Sequence, residues 1–226
     1  MKQNEYSPLE IPNYGMVDAA RYLHVPHSTL QFWTSGHCPI VELAHGTRPP
    51  MLSFKNLVEC YVVQGIRTIH RVKLPKVRKA ASWMRANLTS RHPLADYDLI
   101  CDGVDLFLEL DEGKLLNLCL NGNAAFRPIL EAHLQRVERN AVGMAERLFP
   151  YKNLQQMKTA VDAPRFIVID PLVSFGRPIL RDSGVASSVL AGRYKAGDEY
   201  SVLAKSYGLE ETQVKEAVEW EIGRAA

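Results

Sequence analysis

Residues 16–36 read MVDAARYLHVPHSTLQFWTSG, and what they form decides what the whole N-terminal third can be. Val17, Ala20 and Leu23 recur at helical spacing, so the pattern predicts a helix over about 16–24. Pro26 cannot continue that helix, because proline lacks the N–H and clashes with the preceding turn, but it suits the first turn of a new one. PHSTLQFW (26–33) then runs helically until Thr34, Ser35 and Gly36 break it. Two short helices with a tight turn make a helix-turn-helix. On the second, Leu30 and Trp33 are expected inward, leaving His27, Ser28, Thr29 and Gln31 as short polar groups able to reach base edges or phosphates.

Downstream, GTRPPMLSF (46–54) is a basic loop with two prolines leading into a short apolar strand, which suggests a wing beside the helix-turn-helix. Ser53 is placed as the N-cap of KNLVECYVVQGIRTIH (55–70), a helix with Leu57, Tyr61, Ile66 and Ile69 near one face. A break at VKLP (72–75) precedes a further helix, KVRKAASWMRANL (76–88). Arg67, His70, Arg71, Lys73, Lys76, Arg78 and Lys79 gather around that junction. This order of elements resembles the MerR-type winged-helix domain, on VDAARYLHVPHSTLQFW (17–33), RPPMLSFKNL (48–57) and IRTIHRVKLPKVRKAA (66–81). The resemblance implies a DNA-binding domain over 1–94 with contacts from His27, Ser28, Thr29, Gln31, Arg48, Lys55, Arg67, Arg71 and Lys76. It departs at Gln31, where such domains usually carry arginine; glutamine can read adenine but gives up a guanine or phosphate contact.

Charge agrees with that assignment. The net charge of +2 conceals an asymmetry: residues 1–94 hold 12 Lys+Arg against 5 Asp+Glu, residues 95–162 hold 7 against 11, and residues 163–226 hold 8 against 9. Any contact with nucleic acid is therefore expected from the N-terminal third. Four cysteines lie far apart without a Cys-x-x-Cys pair, which reads as structural thiols in a reducing compartment. The first residues lack the blocks of a signal peptide, and no stretch approaches the ~20 apolar residues of a membrane span, so a soluble, cytoplasmic protein without membrane contact is expected. His24, His27, His37 and Cys38 do not have the paired spacing of a zinc site. No metal and no cofactor are expected.

In the middle, YDLICDGVDLFLELDEGKLLNLCL (97–120) carries Asp102-Gly103 and Glu112-Gly113 between apolar runs, a hairpin signal. It predicts an antiparallel meander at about 98–101, 105–110 and 114–119. Its acids do not have the spacing of a calcium loop. RPILEAHLQRVER (127–139) reads as an amphipathic helix with Ile129, Leu130, Leu134 and Val137 on one side. So thin a segment, 95–160, must lean on a neighbour or form the seam of a homodimer.

In the C-terminal part, FIVIDPLVSFGRPIL (166–180) gives two short strand-like runs divided by Asp170-Pro171. Three helices follow: VASSVLAGRYKAG (185–197) ended by Gly197, DEYSVLAKSYG (198–208) opening at Asp198, and EETQVKEAVEWEIGR (210–224) with Val214, Ala217, Val218 and Ile222 as its buried stripe. The last helix carries Glu210, Glu211, Glu216, Glu219 and Glu221 against Lys215. Each carboxylate about 4 Å from a phosphate costs ~1 kcal/mol even in bulk water, so such a helix opposes entry into a DNA groove. The pattern DPLVSFGRPIL (170–180), a helix from Val185, AGD (196–198), YGL (207–209) and Val214-x-x-Ala217 resembles a family labelled as a domain of unknown function, small winged-helix domains of bacterial VapB-type antitoxins. The likeness spans 166–222 and departs at RDSGVAS (181–187), where many members have Gly-Thr-Arg.

The fold expected is α+β, mainly helical: two winged-helix or helix-turn-helix domains, 1–94 and 161–226, joined by the hairpin-and-helix segment. The resemblance implies a non-enzymatic antitoxin without catalytic residues, homodimeric, bound to operator DNA and to a PIN-like ribonuclease toxin in a hetero-oligomer. Glu211, Glu216 and Glu219 would mimic RNA in the toxin's basic groove, or Arg177, Arg181, Arg193 or Lys195 would replace the charge of its metal. Three readings stay open: a MerR-type regulator whose C-terminal half senses a small ligand, a scaffold that binds no DNA, and a solvated acidic face that contacts nothing.

Overall fold

The computed structural model describes residues 7–44, 47–69, 73–97, 99–101, 106–110, 114–117, 127–159 and 162–223. It is mainly helical with small antiparallel sheets. Helix α1 (Met16–Leu23) ends at His24, whose φ of 52° turns the chain in the left-handed sense, and α2 (His27–Thr34) starts straight after Pro26. Leu30 and Trp33 are buried as expected, whereas Val17 faces solvent and Ala19 takes its place inside with Ala20 and Leu23. Strand β2 (Met51–Leu52) pairs with β1 (Tyr14–Gly15), which precedes α1. Among the described residues, the loop between α2 and β2 holds no strand, so β2 is closed by the chain before the helix pair and not by a wing hairpin of its own.

Ser53 caps α3 (Phe54–Thr68) through a capping box with Asn56. The helix departs from the amphipathic expectation. Thirteen of its fifteen residues are buried, because η1 (Pro8–Glu10), α1, β2, α5 (Pro93–Asp96) and α6 (Arg127–Leu134) pack around it. Each fully buried Leu, Val or Ile contributes roughly 1.5–3 kcal/mol, but the polar side chains must then find partners inside. Lys55 Nζ donates to Glu10 (3.1 Å) and Asp96 (3.2 Å). Asn56 Nδ2 donates to the Glu42 carbonyl at 2.9 Å. Glu59 Oε2 lies 3.1 Å from His92 Nδ1, and burial raises the Glu59 carboxyl above its usual range against the opposing effect of His92 and Asn56. Gln64 Nε2 donates to the Leu23 carbonyl. Helix α4 (Leu74–Asn87) follows the proline break.

The meander is present as β3 (Leu99–Cys101), β4 (Leu106–Leu110) and β5 (Lys114–Asn117), antiparallel in that order. Its predicted turns, Asp102-Gly103 and Glu112-Gly113, lie outside the described residues. Helix α6 stops at Leu134, and Val137 belongs to a hairpin the sequence pattern did not announce, β6 (Val137–Arg139) with β7 (Ala145–Leu148). Helix α7 (Leu154–Thr159) comes next. The end of α6 is locked onto α3. His133 Nε2–H donates to the Tyr61 carbonyl (2.9 Å), Tyr61 Oη–H donates back to the His133 carbonyl (3.2 Å), and the rings stack at 3.9 Å. Arg136, also buried, donates to the carbonyls of Phe149, Ala163, Pro150 and Pro164 and lies over the Tyr151 ring.

Strands β8 (Ile167–Val168) and β9 (Ile179–Leu180) pair antiparallel, and Ile169 bridges to Leu148 of β7. The predicted second apolar run, Leu172–Phe175, is a loop; Asp170 accepts from the Leu172 N–H and Pro171 and Pro178 offer no N–H to a sheet. Helices α8 (Ser187–Lys195), α9 (Tyr200–Tyr207) and α10 (Glu211–Ile222) close the fold. Helix α9 opens at Glu199, because the Asp198 carboxylate is taken by Arg193 at 2.6 Å. In α10, Val214, Ala217 and Val218 are buried as expected, but Trp220 and not Ile222 completes the stripe. Trp220 stacks on Tyr22 of α1 (6.3 Å) and donates to the Tyr151 carbonyl (3.0 Å), which also accepts from His24 Nε2 at 3.0 Å. Among the described residues, no helix is long and apolar enough to cross a membrane.

Two consequences can be measured. A Cβ at Gly65 would stand 2.6 Å from His133 Nε2, and the imidazole is held by Tyr61 on one side with Tyr151 5.7 Å away on the other. Gly65→Ala is therefore expected to cost about 2 kcal/mol despite alanine's better helix propensity, and an unfolding midpoint at or above the parent's contradicts the packing. Burial lowers His133 from 6.5 to about 3, partly offset by its bond to Tyr61. Because the unfolded chain binds that proton first, the stability His133 contributes is complete above pH 6.5 and is lost as pH falls toward 3, at up to about 1.4 kcal/mol per pH unit. His133→Gln should flatten the stability profile between pH 4 and 6 in urea titrations; an unchanged slope would mean that the buried imidazole is already protonated.

Candidate functional site

Two surfaces carry the residues singled out from the sequence. On the first, the capped loop 35–41 folds back because Ile40 and Val41 donate to the Trp33 carbonyl, and Thr34 Oγ1 returns to the Leu30 carbonyl. That leaves His27, Ser28, Gln31 and Phe32 exposed on α2, with Thr29 half-buried. Helix α4 runs against the same loop: Arg85 donates to the carbonyls of Pro39 and Ile40, both at 2.7 Å, and Cys38 Sγ lies 3.1 Å from Ser82 Oγ. This contact places the Arg78 guanidinium 5.3 Å over the Phe32 ring. The polar face of α2 is thus joined edge to edge with a helix bearing Lys76, Arg78, Lys79 and Arg85, and neither helix contains an acid.

The other nominated residues are more scattered. Arg48 is exposed on the loop before β2, Lys76 is exposed and Arg67 is half-buried at the end of α3. His27 borders a cleft of about 640 Å³ whose facing wall includes Asn153 and Leu154. Arg71 lies outside the described residues. Lys55 is a correction: only 8% of its side chain is exposed, and its ammonium is held by Glu10 and Asp96. Burial pulls its pKa down, but the two carboxylates outweigh that and leave it raised. It neutralises two half-buried acids and has no path to a phosphate. The exposed Phe32 ring is not among the contact residues expected from the sequence; its place beside Arg78 depends on a contact between α2 and α4 that no local pattern encodes.

The second surface is C-terminal, and here the acidic helix is largely committed within the chain. Glu221 is buried and accepts from Ser187 Oγ at 2.6 Å, with Arg21 Nη2 at 3.8 Å. Glu216 (3.3 Å) and Glu219 both pair with Lys152. Burial lowers the Lys152 ammonium and these carboxylates more than restore it. The Glu210 N–H is closed by Gln213 Oε1 at the start of α10. Of the nominated acids, Glu211 alone is fully exposed, in the first turn, where a carboxylate suits the helix dipole. Among the nominated bases, Arg193 is engaged by Asp198 and lies over Tyr207. Arg181 stands 3.5 Å from Asp182 and over Phe149. Arg177 and Lys195 are exposed. Lys152, which fixes α10, was missed because its partners lie more than sixty residues away.

No group of His, Cys, Asp and Glu among the described residues is arranged to hold a metal ion. Residues 167–220 match the model of the family DUF433, described as a protein of unknown function. That segment is the pair β8–β9 with the three C-terminal helices. Over 239 aligned residues the chain is 28% identical to a Mycobacterium tuberculosis protein named "Putative antitoxin VapB45", covering 93% of this chain and 94% of the relative. It is 25% identical to the uncharacterized protein Rv2308 of the same organism, covering 93% and 90%. The crystal structure of Rv2018 from M. tuberculosis superposes with a TM-score of 0.69 at 23% identity, covering 93% of this chain and 99% of that one. The fold is therefore shared over 93% of this chain.

Lys55→Gln separates the two roles considered for that residue. It should lower stability by about 2 kcal/mol in urea unfolding, since Glu10 and Asp96 lose their shared cation. An unchanged midpoint would return Lys55 to the surface candidates.

Proposed function

We propose that the chain is the antitoxin of a type II toxin–antitoxin module, a non-enzymatic protein that binds a PIN-like ribonuclease toxin with its C-terminal half and its own operator DNA with its N-terminal third. The observation that carries this reading is the similarity, over nearly the full length of both chains, to a relative that bears an antitoxin name. Support for the DNA half comes from the exposed polar face of α2 abutting the acid-free, basic α4, in the MerR-like order of elements. A single small module of this kind buries too little surface for tight operator binding, so a homodimer reading two half-sites is part of the proposal. On the toxin side, Glu211, Arg177, Arg181 and Lys195 are the nominated residues exposed on the surface. Glu216 and Glu219 would reach a partner only by releasing Lys152.

The test is co-expression with the product of the adjacent reading frame, followed by purification, a nuclease assay and gel shifts with the upstream DNA. A stable complex with suppressed nuclease activity is expected. Full-length protein should shift the upstream duplex steeply with salt, and Arg78→Gln or Lys76→Gln should each weaken binding and lower the slope of log K against log salt by about 0.9 if it meets one phosphate. Absence of any shift at ~50 mM salt would refute the DNA half. A purified neighbour that leaves this chain unbound would refute the toxin half.

A further inference from the structure

The loop between β8 and β9 is strained in a way that the fold alone does not require. Ser174, Phe175 and Gly176 have φ of 50°, 56° and 70°, three successive residues in the left-handed region, two of them with side chains that disfavour it. The side chains so presented are apolar and outside: Phe175 is 83% exposed, Leu172 73% and Val173 39%. Beneath them the loop is firmly held. The Asp170 carboxylate accepts from the Leu172 N–H at 2.9 Å, and the N–H groups of Val173, Gly176 and Arg177 bond to the carbonyls of Asp170, Val173 and Ser174. Asn13 Nδ2 donates to the Phe175 carbonyl, and Gly176 lies against Tyr14, where a Cβ would stand 2.9 Å from Cζ. Strain of this kind persists only where the surroundings over-determine it, and it concentrates at binding sites.

Three arginines flank the loop, and two of them, Arg147 and Arg181, are paired with carboxylates of the chain. Arg177 is exposed directly after the loop, Arg147 is exposed on β7, and Arg181 is exposed just past the end of β9. Asp170 is buried and committed to Arg147 at 2.9 Å, Glu138 lies 3.6 Å from the same guanidinium, and Asp182 lies 3.5 Å from Arg181, so Arg177 is the arginine the loop itself presents. Resting on the antitoxin reading above, we propose that Leu172–Arg177 is a preformed anchor for the toxin: Phe175 and Leu172 enter an apolar pocket of the partner, and Arg177 meets carboxylates on its rim. A ribonuclease centre that gathers carboxylates for a divalent cation offers that chemistry. A rigid aromatic anchor fits the role because little freedom is lost when it docks.

The full-length chain and the purified product of the adjacent reading frame are titrated by calorimetry. Phe175→Ser and Leu172→Ser should each weaken the complex at least tenfold, whereas Val202→Ser, exposed on α9, should leave it within twofold. Phe175→Gly should weaken it similarly and yet raise the Tm of the free chain, because glycine accepts the left-handed backbone that phenylalanine resists. A lower Tm for that variant would make Phe175 a structural residue and overturn the proposal. Wild-type binding with Phe175→Ser equally tight overturns the anchor and leaves the antitoxin reading standing. No binding by the wild type removes the antitoxin reading and the anchor with it. If Phe175→Ser instead turns a dimer of the free chain into a monomer by light scattering, the occupant is a second copy and the toxin assignment is wrong.

Discussion

Burying α3 on every side is the constraint from which the remaining architecture follows. A helix with solvent on one face can leave its polar residues in water; this one cannot, and Lys55, Asn56, Glu59 and Gln64 each become a tie to a different part of the chain. Through them α3 holds the N-terminal turn at Glu10, the end of α1 at Leu23, the loop at Glu42 and the short helix between His92 and Asp96. A buried donor or acceptor left alone costs about 1–3 kcal/mol, so each tie specifies position more than it adds stability. The helix pair α1–α2 is presented from this frame, and its polar face stays outside because the frame absorbs the apolar one.

The acidity of α10 has an internal explanation for most of its charge. Glu221 sits between Ser187 and Arg21, Glu216 and Glu219 clasp Lys152, and only the first turn keeps an uncommitted carboxylate on the surface. The helix that would be the DNA-reading one in a helix-turn-helix is thus turned toward α1 and the chain before α7. Electrostatic sign still divides the molecule, but the negative end is used chiefly to close it. Exposed apolar side chains and exposed arginines near β8 and β9 are what it offers outward.

Features governed by near neighbours in the chain were legible. Pro26 and Ser53 mark where helices begin, Gly197 and Gly208 where they end, and the three strands of the meander fall in the apolar runs that predict them. What the sequence withheld depends on distant partners. Lys55 reads as a surface cation until Asp96 is placed beside it, and Val137 continues a helical stripe until Leu148 pairs with it in β6–β7. Phe175 lies in an apolar run that suggests a strand, and only the backbone shows that it points outward. On the candidate DNA surface the α2 side chains were foreseeable from periodicity, whereas the approach of Arg78 to Phe32 was not.

One oxygen, the Tyr151 carbonyl, receives both His24 and Trp220. It belongs to the main chain, so replacing the tyrosine takes away a ring beside His133 and Arg136 but leaves the acceptor where it was. The tolerance of the two halves for evolutionary drift is therefore unequal: the joint between the front and back of the molecule is encoded in its donors, positions 24 and 220, and position 151 is free to vary only as far as its ring is concerned.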